Sequence, residues 1–529
     1  MAVLIGSIAP RSTVTDSGSS QLTGARDLYS VTMGDSTYVY VAGLVGNGIT
    51  RFELGSNGAL TGGSSIPDTT ALELQGAVSF ASATVGSSTF LYVNGFDDDG
   101  ISAFRVNSDG SLTNVQNIDD PGKGLQLDGT RGQMATVSVG SSEFLVGSGY
   151  FDDGFSVFRI GADGRLTNTD NIDDEENGDY ELNNARDVTS AVVDGNSFIF
   201  VAGYNDNGVS VFELDSNGKA IFRDSVDDAS NSALNLQGAY GMTTGTAGGT
   251  TYLIASGEED DGLSVFSVSG TGQLSNVFNV EDTDARGLDA PRGLTTFTLE
   301  GETFVSVSAA TDNALSVFHL GAGGVLRDVT SVFDNGELAL RGSRYNTFAT
   351  VDGVPLLLAT GQGDSGVSSF ELGGSADKLK GAAAADILLG LAGNDNLKGG
   401  GGKDTLLGGV GNDKLTGGSA RDSLEGGKGN DDFIFLKTKD SGPSGSKRDH
   451  IEDFRGKDEI VLKKIDADTT DKGNQAFGLD NDFGAGDIRV KDTKAGVLLQ
   501  MNTDNDSKVE MSLLLSDFHG KINDNDFVF

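Results

Sequence analysis

The chain of 529 residues contains no cysteine. Disulfides, thiol nucleophiles and CxxC metal sites are therefore excluded. Histidine is nearly as scarce: His319, His450 and His519 are the only three, which leaves little from which to build imidazole acid–base chemistry. No apolar run approaches the ~18 residues of a membrane-spanning helix. The opening stretch Met1-Ala2-Val3-Leu4-Ile5-Gly6 has neither the charged start nor the apolar length of a cleavable leader. Positive charge is in deficit: 37 basic residues stand against 77 acidic ones, a net charge of −40. That balance argues against nucleic acid and anionic membranes as partners. It also suits a chain that stays unfolded until a cation neutralises it.

The basic residues are unevenly spread. Residues 1–372 hold 2 lysines and 14 arginines, whereas residues 373–529 hold 17 lysines and 4 arginines. In a chain longer than one core usually holds, this contrast predicts two modules meeting near Leu372-Gly373-Gly374.

The second module opens on a nine-residue repeat. Aspartate recurs as Asp377, Asp386, Asp395, Asp404, Asp413, Asp422 and Asp431, each followed two places on by Leu379, Leu388, Leu397, Leu406, Leu415, Leu424 or Phe433. Glycines such as Gly393, Gly402, Gly411 and Gly429 fill the intervals. A unit of this form reads as a glycine turn, where left-handed backbone is permitted, followed by a short strand with its apolar residue inward. Two units make one coil of a parallel roll, so alternate aspartates stack. Stacked carboxylates repel unless a hard cation lies between them; calcium takes six to eight such oxygens, and the pattern is that of the calcium-binding nonapeptide. Up to five inter-turn sites are expected from the five stacked pairs that run from Asp377/Asp395 to Asp413/Asp431. Ala384, Ala420 and Ser375 replace the inner glycine, and Ala382–Ala385 replaces a whole turn, so weaker or absent sites are expected around Asp377 and Asp386. Asp504-Asn505-Asp506 with Glu510 reads as an ordinary acidic turn, with a further calcium loop as the alternative.

This segment resembles the RTX repeats of proteins exported by type I secretion. The stretches Asp432-Phe433-Ile434-Phe435, His450-Ile451-Glu452-Asp453-Phe454 and Asp458-Glu459-Ile460-Val461-Leu462, with the ending Asp526-Phe527-Val528-Phe529, are similar to the carboxy-terminal region of the serralysin-type proteases. The resemblance covers about 372–529. It implies calcium as cofactor, a type I secretion apparatus as partner and an extracellular location. A large cysteine-free protein without a leader fits such export.

A longer repeat fills residues 1–372. Phe52, Phe104, Phe158, Phe212, Phe266, Phe318 and Phe370 recur at intervals of 52 or 54, and so do Asp16, Asp68, Asp120, Asp174, Asp228, Asp282 and Asp334. Each repeat reads as four short strands with hairpin turns such as Asp99-Gly100, Asp153-Gly154, Asn207-Gly208 and Asp261-Gly262. Seven such repeats predict an all-β, seven-bladed β-propeller. The last repeat stops at its third strand, Val367 to Leu372, and an orphan strand at about Val3 to Val14 should pair with it and close the ring. Leu91-Tyr92-Val93-Asn94 and the stretch Ser156 to Thr167 resemble the lactonase-like seven-bladed propellers, which implies the fold more than the activity. The expected organisation is a propeller over 1–372, a calcium-binding roll over 373–435, and a β-rich region with the type I secretion signal over 436–529.

Arg26, Arg131, Arg186, Arg292 and Arg344 precede the innermost strand in five blades, with Val78 and Tyr240 in the other two. Placed at a mouth of the channel beside Asp98, Asp153, Asp206, Asp261, Asp312 and Asp364, they read as blade-to-blade ion pairs. The alternative is a ring that binds an anionic sugar or carboxylate. No catalytic residue is assigned. The expected function is a secreted calcium-binding protein whose propeller binds a surface, a polysaccharide or a target cell. A lactonase-type hydrolase and a bacteriocin-like toxin are the alternatives.

Overall fold

The computed structural model describes residues 3–18, 20–120, 124–130, 132–480, 482–504 and 506–529. Among these, regular structure is almost all strand, with two short 3-10 turns at Asp174–Glu176 and Asp524–Asp526. No helix among the described residues is long and apolar enough to cross a membrane. The chain forms two compact units: Pro10–Glu371, and Leu372–Phe529 together with the amino-terminal stretch ending at Ala9.

The first unit is a seven-bladed propeller of four-stranded antiparallel sheets. In the second blade the strands are Ala77–Val85, Ser88–Gly95, Gly100–Val106 and Leu112–Asp119. First strands touch first strands from blade to blade around the whole ring, including Ser343–Val351 against Ala25–Met33. The seven repeating phenylalanines are all buried, and Phe52, Phe104, Phe158, Phe212, Phe266 and Phe318 each sit in a core shared by two adjacent blades.

Each turn between second and third strands holds one left-handed residue: Asn47, Asp99, Asp153, Asn207, Asp261, Asn313 and Ser365, with φ between 52° and 57°. Asparagine and aspartate tolerate this backbone better than other side-chain-bearing residues. Their side chains clamp the next blade. Gly76 N–H donates to Asn47 Oδ1 (2.9 Å), Gly129 to Asp99 (2.9 Å), Asn184 to Asp153 (2.7 Å), Gly238 to Asn207 (2.8 Å), Ala290 to Asp261 (2.9 Å) and Gly342 to Asn313 (2.7 Å). Gly24 N–H donates to Ser365 Oγ (3.1 Å) and completes the circle.

Ring closure differs in detail from the expectation. The amino-terminal β-segment is not one strand over Val3 to Val14 but two, broken at Gly6-Ser7. Ile8–Thr15 is the outer strand of the seventh blade, beside Gly366–Leu372. Val3–Ile5 instead pairs in parallel with Ile387–Ala392.

The second unit is a parallel roll of two sheets. Strands Ile387–Ala392, Thr405–Val410 and Ser423–Lys428 stack in one, and Lys378–Lys380, Asn396–Gly401, Lys414–Ser419 and Asp432–Ile434 in the other. Neither sheet stops at residue 435. The first continues through Asp449–Ile451 to Met511–Ser516, and the second through Glu459–Val461 to Phe527–Val528. One core follows, running from Leu388 and Leu397 through Phe433, Ile451 and Ile460 to Leu513 and Phe527. The inward leucine of each unit is what holds the roll, since a short turn-and-strand unit cannot bury its apolar residue alone.

Candidate functional site

In the roll, each glycine turn delivers its aspartate beneath the preceding coil. Asp395 Oδ1 accepts the Asp377 N–H (2.7 Å), Asp404 that of Asp386 (2.9 Å), Asp413 that of Asp395 (2.7 Å), Asp422 that of Asp404 (2.9 Å) and Asp431 that of Asp413 (2.8 Å). The other oxygen, Oδ2, is buried without a hydrogen-bond partner in Asp395, Asp404, Asp413, Asp422 and Asp431. Glycine leaves room in front of it. A Cβ on Gly408 would stand 2.5 Å from Asp413 Oδ2 and 2.6 Å from the Gly426 carbonyl oxygen; on Gly390 it would stand 2.5 Å from both Asp395 Oδ2 and the Gly408 oxygen. Carboxylate and carbonyl oxygens thus face one gap, the donor set of a hard divalent cation. Gly393, Gly402, Gly411 and Gly429 shape the turns, with φ of 131°, 107°, 146° and 154°. A Cβ on Gly411 would collide with the Gly393 carbonyl oxygen.

The ladder outruns the repeat. Asp449 Oδ1 accepts the Asp422 N–H (2.9 Å) and Asp458 Oδ1 that of Asp431 (3.1 Å). Asp449 keeps a buried, partnerless Oδ2, whereas Asp458 Oδ2 accepts the N–H of Arg455 (2.8 Å). At the start of the ladder the corresponding oxygens are also taken. Asp386 Oδ2 accepts the Ala382 N–H (2.7 Å), and the Asp377 oxygens accept the Ser7 N–H (3.1 Å) and hydroxyl (2.9 Å). Burial pushes the carboxyls up: Asp395 and Asp422 to about 7, Asp404, Asp413 and Asp458 to about 6, and Asp449 to about 9. Neutralising this buried charge is the work a bound cation does.

Among the described residues, none of Arg186, Arg292 and Arg344 forms an ion pair with the repeated aspartates, and Asp364 is paired instead with Arg341 (3.1 Å). Those aspartates serve the backbone: Asp98 Oδ2 accepts the Gln75 N–H (2.7 Å), Asp206 that of Asn183 (2.8 Å), Asp312 that of Asp289 (2.9 Å) and Asp364 that of Arg341 (2.9 Å). Asp153 and Asp261 are blade clamps. The expected ring of ion pairs is replaced by a cluster around Tyr240, which is wholly buried. Arg26 Nη2 donates to the Tyr240 hydroxyl (3.2 Å). The Arg186 guanidinium lies 4.6 Å from the Tyr240 ring centre, 4.1 Å from that of Tyr204 and 5.0 Å from that of Tyr150, and the Arg292 guanidinium lies 5.6 Å from Tyr240. Arg292 Nε donates to Glu258 (3.0 Å) and Arg344 Nε to Gln362 (2.5 Å). Arg131 lies outside the described residues.

Burial alone would raise the Tyr240 phenol. The guanidiniums of Arg26, Arg344, Arg186 and Arg292 overcome that and pull it down to about 7. Burial, reinforced by the like charges of Arg26 and Arg292, lowers Arg344 to about 10. Among the described residues, Arg186 Nε and the Tyr345 hydroxyl are buried without a hydrogen-bond partner. Beside the cluster, buried Asp27 accepts from Leu28 and Phe80 N–H groups, and buried Asp187 from those of Gln133 and Met242, so each stitches neighbouring inner strands.

The histidines are accounted for by carboxylates: His319 by Glu302 (2.7 Å), His450 by Glu452 (3.7 Å) and His519 by Asp492 (2.9 Å). Ligand atoms of Asp504, Asp506 and Glu510 come within 4.8 Å of one another, and Asp506 is engaged by Lys508 (2.6 Å). Asn505 lies outside the described residues.

A ladder of inward aspartates on a glycine-turn roll defines a calcium-binding β-roll. Residues 363–397, 371–406, 380–415 and 398–433 match the RTX calcium-binding nonapeptide repeat of haemolysin-type proteins, in four copies. These repeats bind calcium. No curated protein gives a significant sequence match. Among solved structures, the propeller's likeness extends to the periplasmic gluconolactonase of Pseudomonas aeruginosa, at 20% identity over 56% of this chain and 82% of that one, with a TM-score of 0.44. A protein from Lactobacillus plantarum matches at 16% identity over 57% and 82%, with a TM-score of 0.41. The hydrazine synthase of Kuenenia stuttgartiensis matches at 11% identity over 68% and 97%, with a TM-score of 0.45.

Proposed function

We propose that this is a secreted calcium-binding protein of the RTX type, in which the roll folds in external calcium and the propeller is a binding module. The observation that carries the first part is the row of buried, partnerless Oδ2 atoms on Asp395, Asp404, Asp413, Asp422, Asp431 and Asp449. Without a cation each is a desolvated carboxylate oxygen, which disfavours the folded roll at neutral pH. With calcium they are ligands, so metal binding and folding are one equilibrium. Inside a cell calcium is scarce and the chain would remain extended, as export through a type I apparatus requires.

For the propeller, Arg26, Arg186, Arg292 and Arg344 around Tyr240 support an anionic partner. Arg292 pairs with Glu258, and the guanidiniums of Arg26, Arg186 and Arg344 gather with it around the Tyr240 phenol, in a protein that is otherwise strongly acidic. Flanking Tyr150 and Tyr204 offer faces on which a sugar ring can stack. A carboxylate-bearing saccharide fits both features.

Calcium titration of the full chain, followed by far-UV circular dichroism, should show a cooperative gain of β-structure. A spectrum that is already complete in EGTA would sink the folding claim. Calorimetric titration with D-galacturonate in saturating calcium should give binding that Arg186→Ala weakens about tenfold or more. Absence of binding removes the anionic-sugar reading. Turnover of a lactone lost in the same variant would replace the binding module with a hydrolase.

A further inference from the structure

Val3–Ile5 does not merely touch the roll; it keeps the roll's own register. Val3, Leu4 and Ile5 stand opposite Ile387, Leu388 and Leu389, just as those residues stand opposite Thr405, Leu406 and Leu407. The words match as well: Val-Leu-Ile-Gly at 3–6, Ile-Leu-Leu-Gly at 387–390 and Thr-Leu-Leu-Gly at 405–408. Leu4 packs on the roll core beside Leu379.

Gly6 is the counterpart of Gly390 and Gly408. A Cβ there would stand 2.6 Å from Asp377 Oδ2 and 2.9 Å from the Gly390 carbonyl oxygen, the same pair of groups that lines the gap in front of the later glycines. The coil period is 18 residues, and 18 residues before Ile387–Gly390 lie residues 369–372. Those residues belong to the propeller strand Gly366–Leu372. The repeat therefore has no residues of its own for this half-turn, and the amino-terminal segment fills the place. Gly6 N–H donates to the Leu389 carbonyl (3.0 Å), and Gly373 N–H to that of Ser7 (2.8 Å), which splices the segment to the start of the repeat. Ser7 then closes the ladder, its N–H and hydroxyl occupying both oxygens of Asp377.

We infer that Val3–Ser7 is the first half-turn of the calcium roll, and that calcium binding to the roll fixes this segment more than 360 residues away in sequence. This rests on the reading that the roll folds in calcium. In an unfolded roll there is no Ile387–Ala392 strand to pair with and no ordered Asp377 to meet Ser7. Strand Ile8–Thr15 begins two residues beyond Gly6 and supplies the outer strand of the seventh blade.

Hydrogen–deuterium exchange on the full chain, in calcium and in EGTA, tests this in one experiment. The Gly6 and Ser7 amides should be protected in calcium and exchange freely in EGTA, in step with the amides of 387–392 and 405–410. Leu4→Asp should raise the calcium midpoint for protection of 387–392 by a factor of about five, as expected from the lost contacts of a half-buried leucine. If the roll amides respond to calcium while those of 3–7 stay exposed, or stay protected in EGTA, the coupling is wrong and calcium-driven folding stands. If neither region responds, calcium-driven folding itself fails and this inference fails with it.

Discussion

Arg26 of the first blade donates a 3.2 Å hydrogen bond to the hydroxyl of Tyr240 in the fifth. Tyr240 occupies the position that five other blades give to arginine, so it is the one ionisable acid among those seven equivalent positions, and it is placed to balance the arginines. Burial opposes its ionisation; four guanidiniums favour it more strongly and bring it to about 7. A phenol whose folded value lies below its unfolded one adds stability that is complete above about pH 10 and lost as the pH falls through about 7. Tyrosinate absorbance should therefore show one group titrating near pH 7 in the folded protein, absent from Tyr240→Phe. The variant should be destabilised more at pH 9 than at pH 6 on urea unfolding. If no tyrosine ionises before about pH 9, the cluster is not balanced by Tyr240.

Ala420 tests the demand of the roll for glycine. It holds φ of 97°, at the place where Gly402, Gly411 and Gly429 hold 107°, 146° and 154°. An alanine there carries strain of about 1–3 kcal/mol, while a glycine costs about 0.5–1 kcal/mol more backbone entropy on folding. The side chain is exposed, so no packing is lost on its removal. Ala420→Gly should stabilise the calcium-loaded roll by about 1 kcal/mol, read from chemical unfolding in saturating calcium. A neutral or destabilising result would mean that the turn relaxes around Ala420 and stores no strain.

What the sequence made legible was whatever repeats at constant spacing. The phenylalanines of the blades, the hairpin Asp-Gly and Asn-Gly pairs and the nine-residue aspartates all mark positions that recur because the same backbone recurs. Three features escaped because spacing fails there. Asp449 and Asp458 lie 27 residues beyond their partners instead of 18, since one extra half-coil of chain loops out before the ladder resumes. Val3–Ile5 is an apolar β-run that suits a blade or a roll equally, and only pairing across the whole chain decides between them. Tyr240 was visible as a gap in the arginine series, yet nothing local says that a phenol rather than the aspartates would receive the guanidiniums.

Asp449 and Asp458 give the ladder a sharp end. Both accept a backbone N–H from the preceding coil, but Asp449 Oδ2 is buried and partnerless while Asp458 Oδ2 is already bonded to Arg455. Asp449→Asn should lower the calcium stoichiometry by one ion, measured by native mass spectrometry, and Asp458→Asn should leave it unchanged. Equal losses in the two variants would show that the free oxygen does not mark a calcium place.

Protons should compete with calcium in a direction fixed by the same oxygens. Burial raises Asp404 and Asp413 to about 6 and Asp395 and Asp422 to about 7 from the ordinary 3.8. In the absence of calcium the folded roll thus holds these protons more tightly than the unfolded chain does. Its stability is greatest below about pH 4 and falls as the pH rises through about 7. In EGTA, acidification from pH 7.5 to 5 should restore part of the β-structure that calcium gives at neutral pH, seen by circular dichroism. Asp413→Asn, which replaces one raised carboxyl by a neutral amide, should flatten that pH dependence while raising the calcium midpoint roughly tenfold. A calcium-free roll that loses structure on acidification over this range would show that its aspartates are held as charged groups by the protein itself, and that calcium is not what relieves their burial.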